Sequence, residues 1–210
     1  HPDPTVKRQT GFLIPSLQDN STAGLSFNLP YFLAIAENKD MTLSPRFFND
    51  DKFLLQSEFR KKNKNSDYII DLSQFVSSDE SFKGHLFYNF SKDYVNKNSD
   101  NIELNIQLEH VTNDTYLKTY KLESPIINNT SILSSSIGIV HNSNFQSLDA
   151  NINVYEDLSK NDSDKYEYVP NFYFSKILND NLVLNSEGYY KNYNTNITEK
   201  ILINDFEYSS

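Results

Sequence analysis

The sequence predicts an all-β fold, an antiparallel meander of about eleven strands built like part of a transmembrane β-barrel. Three observations carry this expectation. Apolar and polar residues alternate with period two in one segment after another, and turn-forming clusters separate those segments. No stretch of useful length repeats with helical period. Composition agrees: hydrophobic residues make up only 38% of the chain while aromatics, all Tyr and Phe, reach 14%. That balance argues against disorder and suits apolar residues used one face at a time.

The opening stretch, HPDPTVKRQTGFLIPSL (His1 to Leu17), holds three prolines and no alternation. Residues 1–22 therefore read as an extended linker, and 23–210 as the strand domain. The chain begins at His1 rather than Met, so it reads as a processed chain or as a segment of something longer.

A first strand is expected over 25–35. Alternation then continues in KDMTLSPRF (Met41, Leu43, Pro45, Phe47), KFLLQSEFRK (Phe53, Leu55, Phe59) and DYIIDLSQFV (Tyr68, Ile70, Leu72). NIELNIQLEHV is the cleanest case: Ile102, Leu104, Ile106 and Leu108 share one face, and Glu103, Asn105, Gln107 and Glu109 the other. SLDANINVYE (Leu148, Ala150, Ile152, Val154) repeats the pattern, with weaker strands at 82–94, 131–141, 166–177, 181–193 and 197–208. Clusters such as NDDK, KKNKNSD, SSDES, NKNSD and SKNDSDK mark the turns. The one long connection, Thr112 to Thr130, has room for a short helical turn.

Two architectures share such a pattern. A soluble sandwich buries one face of each strand between two sheets. A membrane barrel turns its apolar face to lipid and its polar face to a wet lumen, with tilted strands of about 9–11 residues. Strand length leans towards the barrel, because strands in general average nearer 5–6 residues. Tyr31, Phe47, Phe48, Tyr68, Phe82, Tyr94 and Tyr155 stand near strand ends, where interfacial girdles sit; ordinary strand propensity also places aromatics there.

Other classes are excluded. A net charge of −9 argues against a nucleic-acid backbone as partner. The absence of cysteine rules out a disulfide framework or thiolate metal site within this stretch. No apolar run is long enough for a membrane helix. His1, His85, His110 and His141 lack metal-ligand spacing, and DLSKNDSDK (Asp157 to Lys165) lacks the Gly and terminal Glu of a calcium loop. There is no nucleophile elbow, phosphate loop or convincing acid pair, so no catalytic residue and no cofactor is expected.

One feature of the first hairpin is unusual. FNLPYFLAIAENKDMTLSPRF (Phe27 to Phe47) carries a proline in each arm, Pro30 and Pro45. Proline has no N–H for the ladder and is normally confined to edges, strand starts and bulges. Matching the apolar sets across a three-residue turn, Glu37-Asn38-Lys39, places Tyr31 opposite Pro45 and Pro30 opposite Arg46. The plain reading is an edge strand where proline is tolerated.

The order KRQTGFLIP, FNLPYFLAIAENKDMTLSPRF, LLQSEFR resembles the start of the barrel domain in the LptD family of lipopolysaccharide-assembly proteins; HVTNDTYLKTY (His110 to Tyr120) is similar to a segment further into it. The resemblance implies a periplasmic domain before the linker and roughly the first half of a large outer-membrane barrel after it. It implies that Pro30 and Pro45 weaken the seam between first and last strands, a lateral gate for lipid release. Glu103, Asn105, Gln107 and Glu109 would line the lumen. Implied partners are lipopolysaccharide, an LptE-like plug lipoprotein in the lumen, and the periplasmic Lpt bridge. Lys7-Arg8 reads as a solvated part of the linker, with anionic lipid heads as the alternative contact. The competing class is a porin-like channel without lateral lipid release, and a more distant one a soluble β-sandwich. If the first strand runs outwards, parity puts the 112–130 connection on the periplasmic side, where such barrels keep turns short; it is then expected to fold inward or to serve a specific role, unless a strand has been miscounted.

Overall fold

The computed structural model describes residues 8–49, 52–78, 81–95, 100–179, 182–193 and 196–208. His1 and Lys7 lie outside them. Among the described residues there are fourteen strands and one short helix. The strands are β1 (Gly11–Phe12), β2 (Ser16–Asn20), β3 (Gly24–Asn28), β4 (Tyr31–Ala36), β5 (Lys39–Phe48), β6 (Phe53–Lys62) and β7 (Ser66–Val76). They continue as β8 (Lys83–Val95), β9 (Asn101–Val111), β10 (Ile132–Asn142), β11 (Gln146–Asp157), β12 (Tyr166–Asn179), β13 (Leu182–Tyr193) and β14 (Asn196–Tyr208), with α1 at Tyr116–Tyr120. Neighbours bond in the order β1-β4-β5-β6-β7-β8-β9-β10-β11-β12-β13-β14, while β3 joins β2 to β5.

The expected meander from 25 to 208 is therefore present. The extra strands come from its beginning. The chain breaks at Leu29-Pro30, so one expected strand becomes β3 and β4, both bonded to β5. Residues 11–12 and 16–20 add β1 on β4 and β2 on β3. The β2–β3 turn closes through Thr22 N–H donating to Asn20 Oδ1 at 2.9 Å and Gly24 at φ +81°, a left-handed position that favours glycine.

The expected register of the first hairpin is corrected by two residues: Tyr31 stands opposite Leu43, not Pro45, and Arg46 opposite Asn28, not Pro30. Only Glu37 and Asn38 separate Ala36 from its partner Lys39, and the ladder shifts again between Ala34 and Ala36. A shorter turn and a bulge each move the pairing by one. Two such steps preserve the parity, so the face assignments survive.

Two compact units divide the chain: 1–88 with 109–130, and 89–108 with 131–210. In the first, Met41 pairs Phe59, Pro45 pairs Leu55, Phe47 pairs Phe53 and Phe59 pairs Ile70, so the apolar sets share a face. In the second, Leu104 pairs Ile139, Ile106 pairs Ile137, and Ile137 pairs Ile152. The other face of that unit carries Glu103, Asn105, Gln107, Ser136, Asp149, Asn151, Asn153 and Asn171. β14 alternates less cleanly, with Ile201 and Ile203 on the polar side.

Apolar strand residues stand exposed while several charged and polar ones are buried beside a small apolar core. Phe47, Leu72, Val76, Ile137 and Ile152 are exposed, whereas Asp40, Arg46, Asp71, Ser73 and His85 are buried. A sandwich does the opposite, packing apolar faces together. An apolar face left uncovered, on strands mostly of 10 to 14 residues, is the pattern of a lipid-facing barrel wall.

Candidate functional site

The proline hairpin is built so that its missing donors fall in particular ladders. Pro45 accepts from Leu29 N–H at 3.1 Å through its carbonyl oxygen. The N–H and C=O of a strand residue point to the same side, so the donor that Pro45 lacks would have answered Leu29. What should be a two-bond pair keeps one bond. Pro30 accepts from Leu13 N–H at 2.8 Å, so its side of the chain faces outward, away from β5. Its missing donor belongs to the outer edge. Leu29 and Pro30 are adjacent, so two consecutive ladders lose a donor at one height. Sequence reasoning found the pair but not this division between the ladders.

The long connection folds onto the polar face of the first unit. Tyr116, Leu117, Tyr120, Leu122 and Ile126 are buried there. Tyr120 packs on Phe75 with ring centroids 4.6 Å apart and edge-on to Phe48 at 5.8 Å. α1 stops at Lys121, whose left-handed φ of 47° turns the chain while its N–H bonds back to the Lys118 carbonyl. Backbone carbonyls of the connection are met by side chains. Arg46 donates to Tyr120 O at 2.5 Å, Asn20 to Thr119 O at 2.5 Å, and Gln56 to Glu123 O at 2.9 Å. Arg46 immediately follows Pro45, so the connection is fastened to the hairpin itself.

Below α1 lies a polar cluster that the sequence did not single out. Ser73 Oγ is 2.6 Å from His85 Nδ1 and 2.8 Å from Tyr116 Oη. His85 Nε2 lies 3.2 Å from Asp71 Oδ1 without a directed hydrogen bond. Gln56 donates to both Asp71 oxygens, at 3.1 and 3.0 Å. Burial and the Ser73 bond act in opposite senses on the Tyr116 hydroxyl; burial dominates and pushes it up to about 12. Asp, His and Ser are the residue types of a nucleophilic triad, but the Ser73 hydroxyl is shared with Tyr116 and the whole group is buried under aromatic rings. The arrangement fastens the connection; it does not present a nucleophile. Alternation alone hid it, because Asp71, Ser73 and Phe75 share a face that is polar at one end and apolar at the other.

Of the four acidic and amide residues on β9, Glu103, Asn105 and Gln107 lie in the second unit and Glu109 in the first. Asn105 donates to Glu103 Oε1 at 2.9 Å, and Gln107 to Ser134 O at 3.3 Å. Glu109 is buried. Among the described residues no group of three His, Cys, Asp or Glu is arranged to hold a metal ion.

An antiparallel meander of long strands with one exposed apolar face and one polar face defines the class: a run of strands from a transmembrane β-barrel. Among the described residues no helix is long and apolar enough to cross a membrane. No family model matches the chain. Curated relatives named LPS-assembly protein LptD do. That of Nitrosococcus oceani is 28% identical over 159 residues, 70% of this chain and 21% of the relative. That of Pseudoalteromonas atlantica is 28% identical over 115 residues, 54% and 15% respectively. That of Pseudomonas aeruginosa is 34% identical over 87 residues, 41% and 9%. The chain is thus similar to part of LptD, and it spans about a fifth or less of the length of these relatives.

Proposed function

We propose that this chain forms part of the wall and gate of a lipopolysaccharide-assembly barrel in the outer membrane of a Gram-negative bacterium. The observation that carries the reading is the loss of a donor in two neighbouring ladders, at Pro30 and at Pro45, where the first hairpin meets the outer edge of the sheet. Each lost bond is worth about 0.5–1.5 kcal/mol net, and more where water cannot replace it. Two adjoining ladders, each short of one donor at the same height, part sideways more easily than fully paired ladders. Pro170 provides the contrast. It also interrupts a ladder, between the pairs Tyr168–Asn192 and Asn171–Tyr189, but no proline stands beside it on β11 or β13.

The function is transport without bond chemistry, and the protein is not an enzyme. A lipid with an anionic sugar head needs a polar route for the head and an apolar one for its chains. Glu103, Asn105 and Gln107 line the lumen with the other polar strand faces, Glu109 stands on the same face but is buried, and the acyl chains leave through the parted seam. An LptE-like lipoprotein occupies the lumen, and a periplasmic domain joined through the linker of residues 1–22 delivers lipid from the Lpt bridge.

The test uses the full-length parent in living cells, with photo-crosslinking residues at Leu29 and Ser44. Lipopolysaccharide adducts that fade when lipid supply is blocked support the gate. A barrel that inserts normally and never crosslinks to the lipid is a porin-like channel instead.

A further inference from the structure

The outer edge of the first hairpin is already occupied. Gly11 pairs Phe32 and Phe12 pairs Tyr31 along β4, while Ser16 to Asn20 pair Asn28 to Gly24 along β3. Leu13 N–H bonds Pro30 O at 2.8 Å, and Ala34 N–H bonds Thr10 Oγ1 at 3.0 Å. Side chains reinforce the backbone. The Phe12 ring meets Tyr31 edge-on at 4.9 Å, and Arg8 reaches buried Asp40 at 2.5 Å. The two pairings differ in register by one residue, and the step falls at Ile14-Pro15, beside Pro30. Pro15 and Pro30 thus stand at the breaks between successive strands, and Pro45 lies inside β5 at the same height, bonded to Leu29.

We propose that residues 10–20 are a cover strand for the gate: they hold the edge positions of β3 and β4 that barrel closure assigns to the last strand, and opening requires them to peel away. An edge amide can bond only one neighbour, so cover and closing strand compete for the same donors and acceptors. The cover is built to leave. β1 has two residues, Pro15 contributes no N–H, and Phe12 and Ile14 are exposed. The functional part of this inference rests on the gate reading above; the pairing does not.

Phe12 and Tyr31 form a pair without mutual backbone bonds, because Leu13 and Gly11 direct theirs to β4. Such pairs bring Cα atoms close enough for a disulfide. The experiment is F12C/Y31C in the full-length parent, beside a control pair, L43C/S57C, at partnered positions of β5 and β6. Both disulfides are expected to form in assembled barrels. Closing the first should cut surface delivery of lipopolysaccharide at least tenfold, reversibly on reduction, while closing the control should not. Formation of the control alone overturns the cover strand. A closed F12C/Y31C bond with unaltered delivery overturns its part in opening. Loss of the two rings threatens assembly, so a photo-crosslinker at Gly11 serves as the second measurement. Its adduct must map to residues 31–34, and an adduct elsewhere refutes the pairing. Lipid crosslinking at Leu29 in the unlocked protein tests the gate separately, so its failure leaves the disulfide result standing.

Discussion

At the residue scale, the two prolines make different predictions. P45A returns an N–H opposite Leu29, and P30A returns one to the outer edge facing the cover strand. One regained bond of about 0.5–1.5 kcal/mol slows local opening about 2- to 10-fold. Hydrogen exchange of the Leu29–Ala34 amides in the parent protein should slow by that factor in P45A, with fewer lipid adducts at Ser44. Unchanged or faster exchange would remove the weakened-ladder argument. Tyr116 gives a second prediction at this scale. Burial pushes its hydroxyl up to about 12, from about 10 in an unfolded chain. A raised acid of this kind contributes stability that is complete below pH ~10 and is lost as pH rises towards 12. Alkaline difference titration of the parent against Y116F should show one tyrosine missing from the late phase; a loss from the early phase contradicts the buried geometry. The prolines were legible in the sequence because their chemistry is local. The Ser73–His85–Tyr116 contacts were not, because they join residues on β7, β8 and α1 that no period connects.

At the element scale, the 112–130 connection explains why a face of polar strand residues can also carry Leu54, Phe75 and Phe87 at full burial. Of these, Phe75 packs against Tyr120 of the connection at 4.6 Å. If the first strand runs outwards, parity puts this connection on the periplasmic side, where its length is unusual; within the first unit it packs onto the polar strand face. Of the side chains that meet its carbonyls, Arg46 is buried, so removing that donor leaves a buried acceptor unpaired at a cost of about 1–3 kcal/mol. R46L should therefore loosen the connection and raise trypsin cleavage at Lys118 and Lys121 by about tenfold or more in purified parent protein. R46K, which keeps the charge and a donor, should cleave at an intermediate rate. Equal cleavage in all three would mean that Arg46 does not hold the connection. The strands from 39 to 157 were readable because alternation is intrinsic to a two-faced sheet. The hairpin register was not, since a bulge at Ile35 and a shortened turn cancel in parity and leave the apolar pattern unchanged.

At the scale of the whole molecule, the two faces of the wall differ in which one meets water. In a soluble sandwich Leu104, Ile139 and Ile152 would be packed together, and Asn105, Ser136 and Asn153 would be exposed. In a barrel wall both sets are uncovered by protein, but the first meets lipid and the second the aqueous lumen. The chain contains no cysteine, so each position can be labelled singly within this stretch. In parent protein reconstituted in lipid, a membrane-impermeant thiol reagent should modify N105C, S136C and N153C and spare L104C, I139C and I152C. Dissolving the lipid in a small detergent should raise reactivity at the spared positions. Because the ladder joins Asn105 to Gly138 and Asn151 to Asn171, the pattern must also carry across strands: odd positions of β9, β11 and β12 react, together with even positions of β10. A result that followed sequence position alone, or labelled both faces equally in lipid, would fit a water-filled or water-surrounded sheet. Alternation in reactivity that crosses from strand to strand in this register requires one face of a single wall to be held in lipid.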